Sequence, residues 1–111
     1  MPFIHLTTNK VLTLHQDIAL KENLNQLFPD ENVMLHIEDN QIMYYQDGGN
    51  YCMKVDVYLT KMNYDISALK KQVCQSIEIV TGIEEGYQLF SFIDCLYVER
   101  ELWNKVLFIF N

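Results

Sequence analysis

The sequence is poor in basic side chains, and this shortage excludes whole classes of function. Its 111 residues carry 15 acidic and 8 basic side chains, for a net charge of -7, and Arg100 is the only arginine. No basic run exists to neutralise phosphates, which excludes an ordinary nucleic-acid-binding protein. No run of 18 apolar residues exists, so we expect no membrane span. The first residues lack a charged segment followed by an apolar one, so we expect no signal peptide and a cytoplasmic protein.

Disulfides and metal sites are also disfavoured by the small number of suitable side chains. The cysteines are Cys52, Cys74 and Cys95. The histidines are His5, His15 and His36. An odd cysteine count without a CxxC spacing argues against a disulfide framework, and no histidine has ligand spacing to another histidine or to a cysteine. We therefore predict neither a metal site nor a cofactor.

The residues that are present are sufficient for one folded domain. Half of them are hydrophobic and 13% are aromatic, which is ample for a core and rules out a disordered chain. The length favours a single domain over residues 1–111.

The strongest helix pattern lies in the second half of the chain. Its apolar stripe consists of Ile66, Leu69, Val73, Ile77 and Val80. This spacing predicts a helix of about 15 residues with Asp65 as its N-cap and Gly82 at its end.

A weaker helix pattern lies in the first half. Thr13 and Gln16 have capping-box spacing, and Pro29 would stop the helix. Its apolar positions are Leu20, Leu24, Leu27 and Phe28.

Four segments have the pattern of β-strands. They are Phe3–Thr7, Val33–Ile37, Cys52–Thr60 and Tyr87–Asp94. Apolar residues on both faces of the last strand predict a buried, central position. Gln41–Tyr45 could extend the second strand, before a turn at Asp47–Asn50. We expect His5 and His36 to face each other across the sheet as a core or interface pair.

The order of these elements is one β-α-β unit written twice. The units span residues 2–45 and 51–94, and an apolar tail, residues 95–111, follows. Right-handed crossovers make the strands of each unit parallel, which predicts an α+β domain with a four-stranded mixed sheet and two helices on one face. Lys54, Asp56, Tyr58 and Thr60 would line the other face. That face is either solvated or covered by self-association, and we favour the second.

Several local motifs resemble the tautomerase superfamily, especially its macrophage migration inhibitory factor branch. The chain opens Met1-Pro2-Phe3-Ile4, and His36–Met43, Ser91–Asp94 and Trp103-Asn104 follow in that branch's order. The resemblance covers nearly the whole chain, and a second, uncharacterised branch of the superfamily fits comparably. It implies a homotrimer in which three sheets enclose a central channel.

The resemblance also implies that Pro2 is the general base of a keto–enol tautomerase. Removal of Met1 would make the Pro2 nitrogen a secondary amine, whose pKa, about 7.7–8.0 in water, an apolar pocket lowers. A neutral amine can take a proton from the carbon beside a ketone and return it elsewhere. With Met1 retained, that nitrogen is an amide and has no usable lone pair. The expected ligand is a small carbonyl or enol compound.

The candidate substrate-binding residues only partly match the family's pattern. Phe3 and Phe28 are candidate apolar walls, but the alignment places Phe28 where the family has a lysine that holds a carboxylate. Leu89 and Ser91 stand where a neighbouring subunit supplies a tyrosine and an asparagine.

Four further candidates complete the expected site. They are Tyr58, Thr60, Lys61 and Trp103. Tyr58 aligns with a histidine near the pocket, and Thr60 aligns with an isoleucine whose backbone binds substrate. Lys61 is the cation best placed to replace the lysine that is missing at Phe28. The missing lysine, tyrosine and asparagine favour an alternative, a non-catalytic trimeric binding or scaffolding protein, whereas the Met-Pro start favours the enzyme.

Overall fold

The computed structural model describes residues 2–40, 50–60 and 63–94. In chain order its elements are β1 (Phe3–Thr8), α1 (Leu14–Gln26), β2 (Met34–Asp39), β3 (Met53–Leu59), α2 (Ile66–Thr81), a 3₁₀ turn (Glu85–Tyr87) and β4 (Gln88–Asp94). The predicted extension at Gln41–Tyr45, nearly all of the turn at Asp47–Asn50, and the tail lie outside the described residues.

The four strands form one mixed sheet in the order β2-β1-β3-β4. Strands β1 and β2 are parallel, β3 and β4 are parallel, and β1 and β3 are antiparallel. The α+β architecture with doubled β-α-β units is therefore confirmed. The central position predicted for the last strand is wrong, because β4 pairs with β3 alone in the described sheet. Its outward apolar residue Leu89 is 67% exposed, while Phe90 and Phe92 pack against the core.

Helix α2 begins and ends where the sequence predicts. The Asp65 side chain accepts a hydrogen bond from the Ala68 backbone N–H at 3.2 Å, which satisfies one of the free amides of the first turn. Gly82 ends the helix with φ of 77°, in the left-handed region that a residue with a Cβ rarely adopts.

Helix α1 has the predicted capping box. The Gln16 backbone N–H donates to the Thr13 hydroxyl at 3.2 Å, and the Thr13 backbone N–H donates to the Gln16 side chain at 2.9 Å. The helix ends at Gln26, so Leu27 and Phe28 belong to the segment that leads into β2.

The first unit also supplies donors to the end of α2. Lys10 Nζ donates to the carbonyl of Thr81 at 2.5 Å, and Gln16 Nε2 donates to the carbonyl of Val80 at 3.3 Å. The last carbonyls of a helix have no partner within the helix, so these two side chains satisfy orphan acceptors. In the described part of the chain, neither helix is long and apolar enough to cross a membrane.

The two faces of the sheet differ sharply. Both helices cover one face, where alternate residues of β1 and β3 form the core. These core residues include Ile4, Leu6, Met53, Val55, Val57 and Leu59. The alternating partners, among them Phe3, His5, Lys54 and Asp56, lie on the other face, which we call the open face. The alternation predicted for β3 is thus confirmed.

Candidate active site at the start of the first strand

Pro2 is buried at the point where the chain enters β1. Its carbonyl accepts a hydrogen bond from the Met34 backbone N–H at 2.9 Å, which fixes it beside the start of β2. Ile4 points into the helix-covered core. Because side chains alternate along a strand, the Pro2 ring lies on the helix side as well.

An aromatic and acidic group closes the helix side of this end of the sheet. Phe28 is 1% exposed, and its ring meets the Tyr64 ring edge-on at 5.3 Å between centroids. The Tyr64 hydroxyl donates a hydrogen bond to the carboxylate of Glu31. Burial, followed by the hydrogen bond to Glu31 and the charges of Glu31 and Asp30, raises the pKa of Tyr64 to about 12. We call Phe28, Asp30, Glu31 and Tyr64 the acidic end group.

No motif in the sequence predicts the acidic end group. Tyr64 and Glu31 are 33 positions apart and belong to no motif that we singled out. The only available signal is positional: Glu31 follows the proline that stops α1, and Tyr64 precedes the N-cap of α2. Both residues therefore lie in connections at the same end of the fold.

The other two aromatic candidates among the described residues, Phe3 and Tyr58, lie on the open face, across the sheet from the Pro2 ring. Phe3 and Tyr58 are paired between β1 and β3, with ring centroids 5.4 Å apart. Phe3 is nearly buried and Tyr58 is half-buried. Thr60, also half-buried, follows directly after β3. The structure therefore brings Phe3, Tyr58 and Thr60 to the same end of the sheet as Pro2, but divides them between its two faces.

Leu89 and Ser91 lie on the outer strand β4, and both are exposed. Leu89 pairs with Lys54, which in turn pairs with Thr7, toward the far end of β1. Within one chain, strand β3 lies between these residues and β1, which begins beside Pro2. Lys61 and Trp103 lie outside the described residues, so their roles stay predictions.

A polar row crosses the open face through all four strands. Its members, in order, are His36, His5, Asp56 and Ser91. The histidine rings stack at 5.1 Å with an interplanar angle of 7°, which confirms that they face each other. His5 Nε2 lies 3.3 Å from a carboxylate oxygen of Glu38 without making a hydrogen bond. Asp56 is only 7% exposed.

Lys54 is a cation in contact with this row. Its Nζ lies 3.6 Å from a carboxylate oxygen of Asp56, which gives the buried carboxylate an ionic partner. Lys54 therefore lies on the open face, as predicted. Among the described residues, no group of three histidine, cysteine or acidic side chains could hold a metal ion.

Three surface clefts of about 260 to 430 Å³ lie away from Pro2. Thr8 and Lys10 line one, Lys21 and Val33 another, and Tyr87 with Lys10 the third. None of the predicted site residues lines any of the three.

The fold is that of the tautomerase superfamily, as the resemblance predicts. No protein-family model and no curated protein matches the sequence. Among solved structures, MIF2 of Leishmania major matches with a TM-score of 0.76 and 16% identity, over 86% of this chain and 90% of that one. Identity at this level establishes the fold alone.

Two further structures extend the match beyond proteins of the MIF type. Pt0534, described as inactivated by 2-oxo-3-pentynoate, matches with a TM-score of 0.65 and 14% identity, over 83% of this chain and 84% of that one. A fused 4-OT protein, described as a symmetric trimer, matches with a TM-score of 0.67 and 12% identity, over 83% and 86%. The doubled β-α-β unit is thus shared by proteins of differing description.

Proposed function

We propose that this protein is a keto–enol tautomerase that uses the Pro2 amine as its general base. The supporting observation is the position of Pro2, buried at the start of β1 and bonded through its carbonyl to Met34, in a fold shared with tautomerase-superfamily proteins. A buried secondary amine at this position is suited to proton transfer, because low polarity favours its neutral form.

The proposed reaction moves one proton in two steps. The lone pair of the Pro2 nitrogen takes a proton from the carbon beside the carbonyl group, and the electrons of that C–H bond form the carbon–carbon double bond. The carbonyl π electrons move to oxygen, which leaves an enolate beside a protonated proline. The prolinium then returns its proton to that oxygen and yields the enol, and the reverse sequence regenerates the ketone.

We propose that the active assembly is a homotrimer. The matching 4-OT protein is described as a symmetric trimer, and the open face of this sheet has a nearly buried Asp56 beside stacked histidines. In such an assembly, Leu89 and Ser91 of a neighbouring subunit would approach Pro2. Light scattering should then give about 39 kDa, three times the chain mass of 13.1 kDa. A stable monomer at micromolar concentration would contradict the trimer.

The state of the amino terminus tests the proposed base. Intact mass establishes whether Met1 has been removed, and the processed protein should interconvert the keto and enol forms of hydroxyphenylpyruvate. One extra residue before Pro2 should abolish turnover, because an amide nitrogen cannot accept the proton. Pro2→Gly keeps an amine and should retain reduced activity. Equal turnover by the extended and processed proteins would show that Pro2 is not the base.

A non-catalytic trimeric binding or scaffolding protein is the second candidate. It is supported by Phe28, which fills the family's lysine position with a side chain that is buried against Tyr64. Exposed Leu89 and Ser91 in place of a tyrosine and an asparagine point the same way. Processed protein that forms the trimer but turns over no keto or enol substrate would favour this candidate.

A further inference from the structure

The pairing of β1 with β2, which holds Pro2 in place, also brings two histidines together. His5 on β1 faces His36 on β2. Met34, whose backbone N–H donates to the Pro2 carbonyl, lies two residues before His36, or about 7 Å along the strand. A force that separates the two strands at the histidines therefore acts close to Pro2.

The stacking of the two imidazole rings is compatible with neutral histidines and is opposed by two charged ones. The ring centroids of His5 and His36 are 5.1 Å apart, and the rings are nearly parallel. An ordinary histidine takes up a proton at about pH 6.5, so acid solution charges such a pair. Two unit charges about 5 Å apart disfavour staying together by about 4-fold in water and by about 100-fold or more at an effective dielectric constant of about 20.

The charged groups beside the pair favour one proton on it over two. Glu38 on β2 has a carboxylate oxygen 3.3 Å from His5 Nε2, and Asp56 on β3 faces His5 across the sheet. Lys54 Nζ lies 3.6 Å from the Asp56 carboxylate and offsets part of its charge. Ser91 on β4 completes the row without a charge. The carboxylates stabilise a first proton on His5, and that charge then opposes a second proton on the neighbouring ring.

We propose that protonation of both stacked histidines, His5 and His36, loosens the pairing of β1 with β2 and so controls the position of Pro2. At neutral pH the uncharged rings pack together and the strands stay paired. In acid, repulsion between the rings weakens the hydrogen bond from Met34 to Pro2. Strand β2 moves because it pairs with β1 alone in the described sheet, whereas β1 is held between β2 and β3. As a regulation of turnover, this inference rests on the proposed function; the structural change does not.

Hydrogen exchange of the Met34 backbone N–H, followed by NMR, tests the loosening. Its protection is measured relative to the intrinsic exchange rate at each pH, which removes the general effect of pH on exchange. Between pH 7.5 and pH 5, this protection should fall at least about 10-fold. The Gly82 N–H, which donates to the Glu78 carbonyl at the end of α2, is the reference and should change less than about 2-fold. Unchanged protection of Met34 with both histidines protonated would overturn the proposal, because the rings would then separate by side-chain motion alone.

Single substitutions distinguish repulsion within the pair from protonation of one ring. His36→Gln and His5→Gln each leave one histidine of the pair, so both variants should keep the protection of Met34 within about 2-fold between pH 7.5 and pH 5. The third histidine of the sequence, His15, is exposed on α1, and His15→Gln is the matched control. It should lose protection as the wild type does. Loss of protection at pH 5 in either pair variant, or its absence in His15→Gln, would contradict repulsion between the two rings.

Turnover of hydroxyphenylpyruvate tests the regulation separately. The activity of the wild type divided by that of His36→Gln should fall between pH 7.5 and pH 5, because titration of the Pro2 amine is common to both proteins and cancels in the ratio. A constant ratio while Met34 loses protection would overturn the regulation of turnover. Loss of protection at Met34 in a processed protein that turns over no substrate at either pH would contradict the tautomerase and support the histidine-controlled pairing.

Discussion

The two faces of the sheet differ in the polarity of their side chains. The helix-covered face is an almost entirely apolar layer in which Leu6, Val55 and Val57 have no exposed surface. The open face carries the stacked histidines His5 and His36 together with Asp56. A carboxylate that is 7% exposed on an uncovered sheet face has already lost most of its water.

The difference between the faces separates folding from function. Apolar burial on the covered face supplies the driving force for folding, at about 25 cal/mol per Å². The Lys54–Asp56 pair on the open face contributes little to that force, because Lys54 is half-exposed and an ion pair that reaches solvent is worth about 0–1 kcal/mol. We infer that the covered face determines the fold and that the open face is available for association.

Neighbouring residues of β1 provide the sharpest stability test of this comparison. Leu6→Ala on the covered face should lower the free energy of unfolding by about 2–5 kcal/mol, because it leaves a cavity in the core. Thr7→Ala on the open face should change it by less than about 1 kcal/mol. Urea unfolding followed by circular dichroism measures both. Losses of similar size would show that the open face contributes to folding as much as the covered one.

The acidic end group should make stability depend on pH in alkaline solution. The pKa of Tyr64 is raised in the folded state, so its contribution is present below pH 10 and is lost as the pH rises toward about 12. Partial exposure limits the loss to about 1–2 kcal/mol.

Tyr64→Phe isolates the contribution of the Tyr64 hydroxyl to the free energy of unfolding. The difference in unfolding free energy between wild type and variant should narrow between pH 10 and 12, as measured by urea titrations. Subtracting one free energy of unfolding from the other cancels the contribution of the buried thiols of Cys52 and Cys74, because both proteins contain them. The pKa values of these thiols are also raised by burial. A difference that stays constant over this range would contradict the assigned cause.

The caps of the two covering helices should contribute similar, smaller amounts. Thr13→Ala and Asp65→Ala each remove a side chain that accepts a first-turn backbone N–H, at an expected cost of about 1 kcal/mol. Thermal unfolding of both variants checks this expectation. Ser67→Ala, at an exposed position in the first turn of α2, is the control and should change little.

The smallest stability effect is expected on the open face. Lys54→Met removes the partner that lies 3.6 Å from Asp56, and Lys54 is itself half-exposed. The free energy of unfolding should change by less than about 1 kcal/mol. A loss above about 2 kcal/mol would mean that the pair is part of the folding core and would break the distinction between the faces.

Patterns within a few neighbouring residues predicted the helices and strands better than they predicted the candidate active site. Capping at Thr13, Asp65 and Gly82 depends on a few neighbouring residues, so the sequence alone specified both helix starts and the end of α2. The apolar residues of β4 did not distinguish a central strand from an edge strand, because that difference depends on which strand pairs beyond it. Likewise, the acidic end group depends on tertiary contact between two distant connections.

The donors that Lys10 and Gln16 provide to the end of α2 bear on the history of the doubled unit. If the chain arose by duplication, its halves were once interchangeable. In the second half, the last carbonyls of α2 accept hydrogen bonds from two side chains of the first half. Neither half is therefore a complete replacement for the other. Specialisation of this kind makes a duplication difficult to reverse, because a lone second half would leave those carbonyls to water.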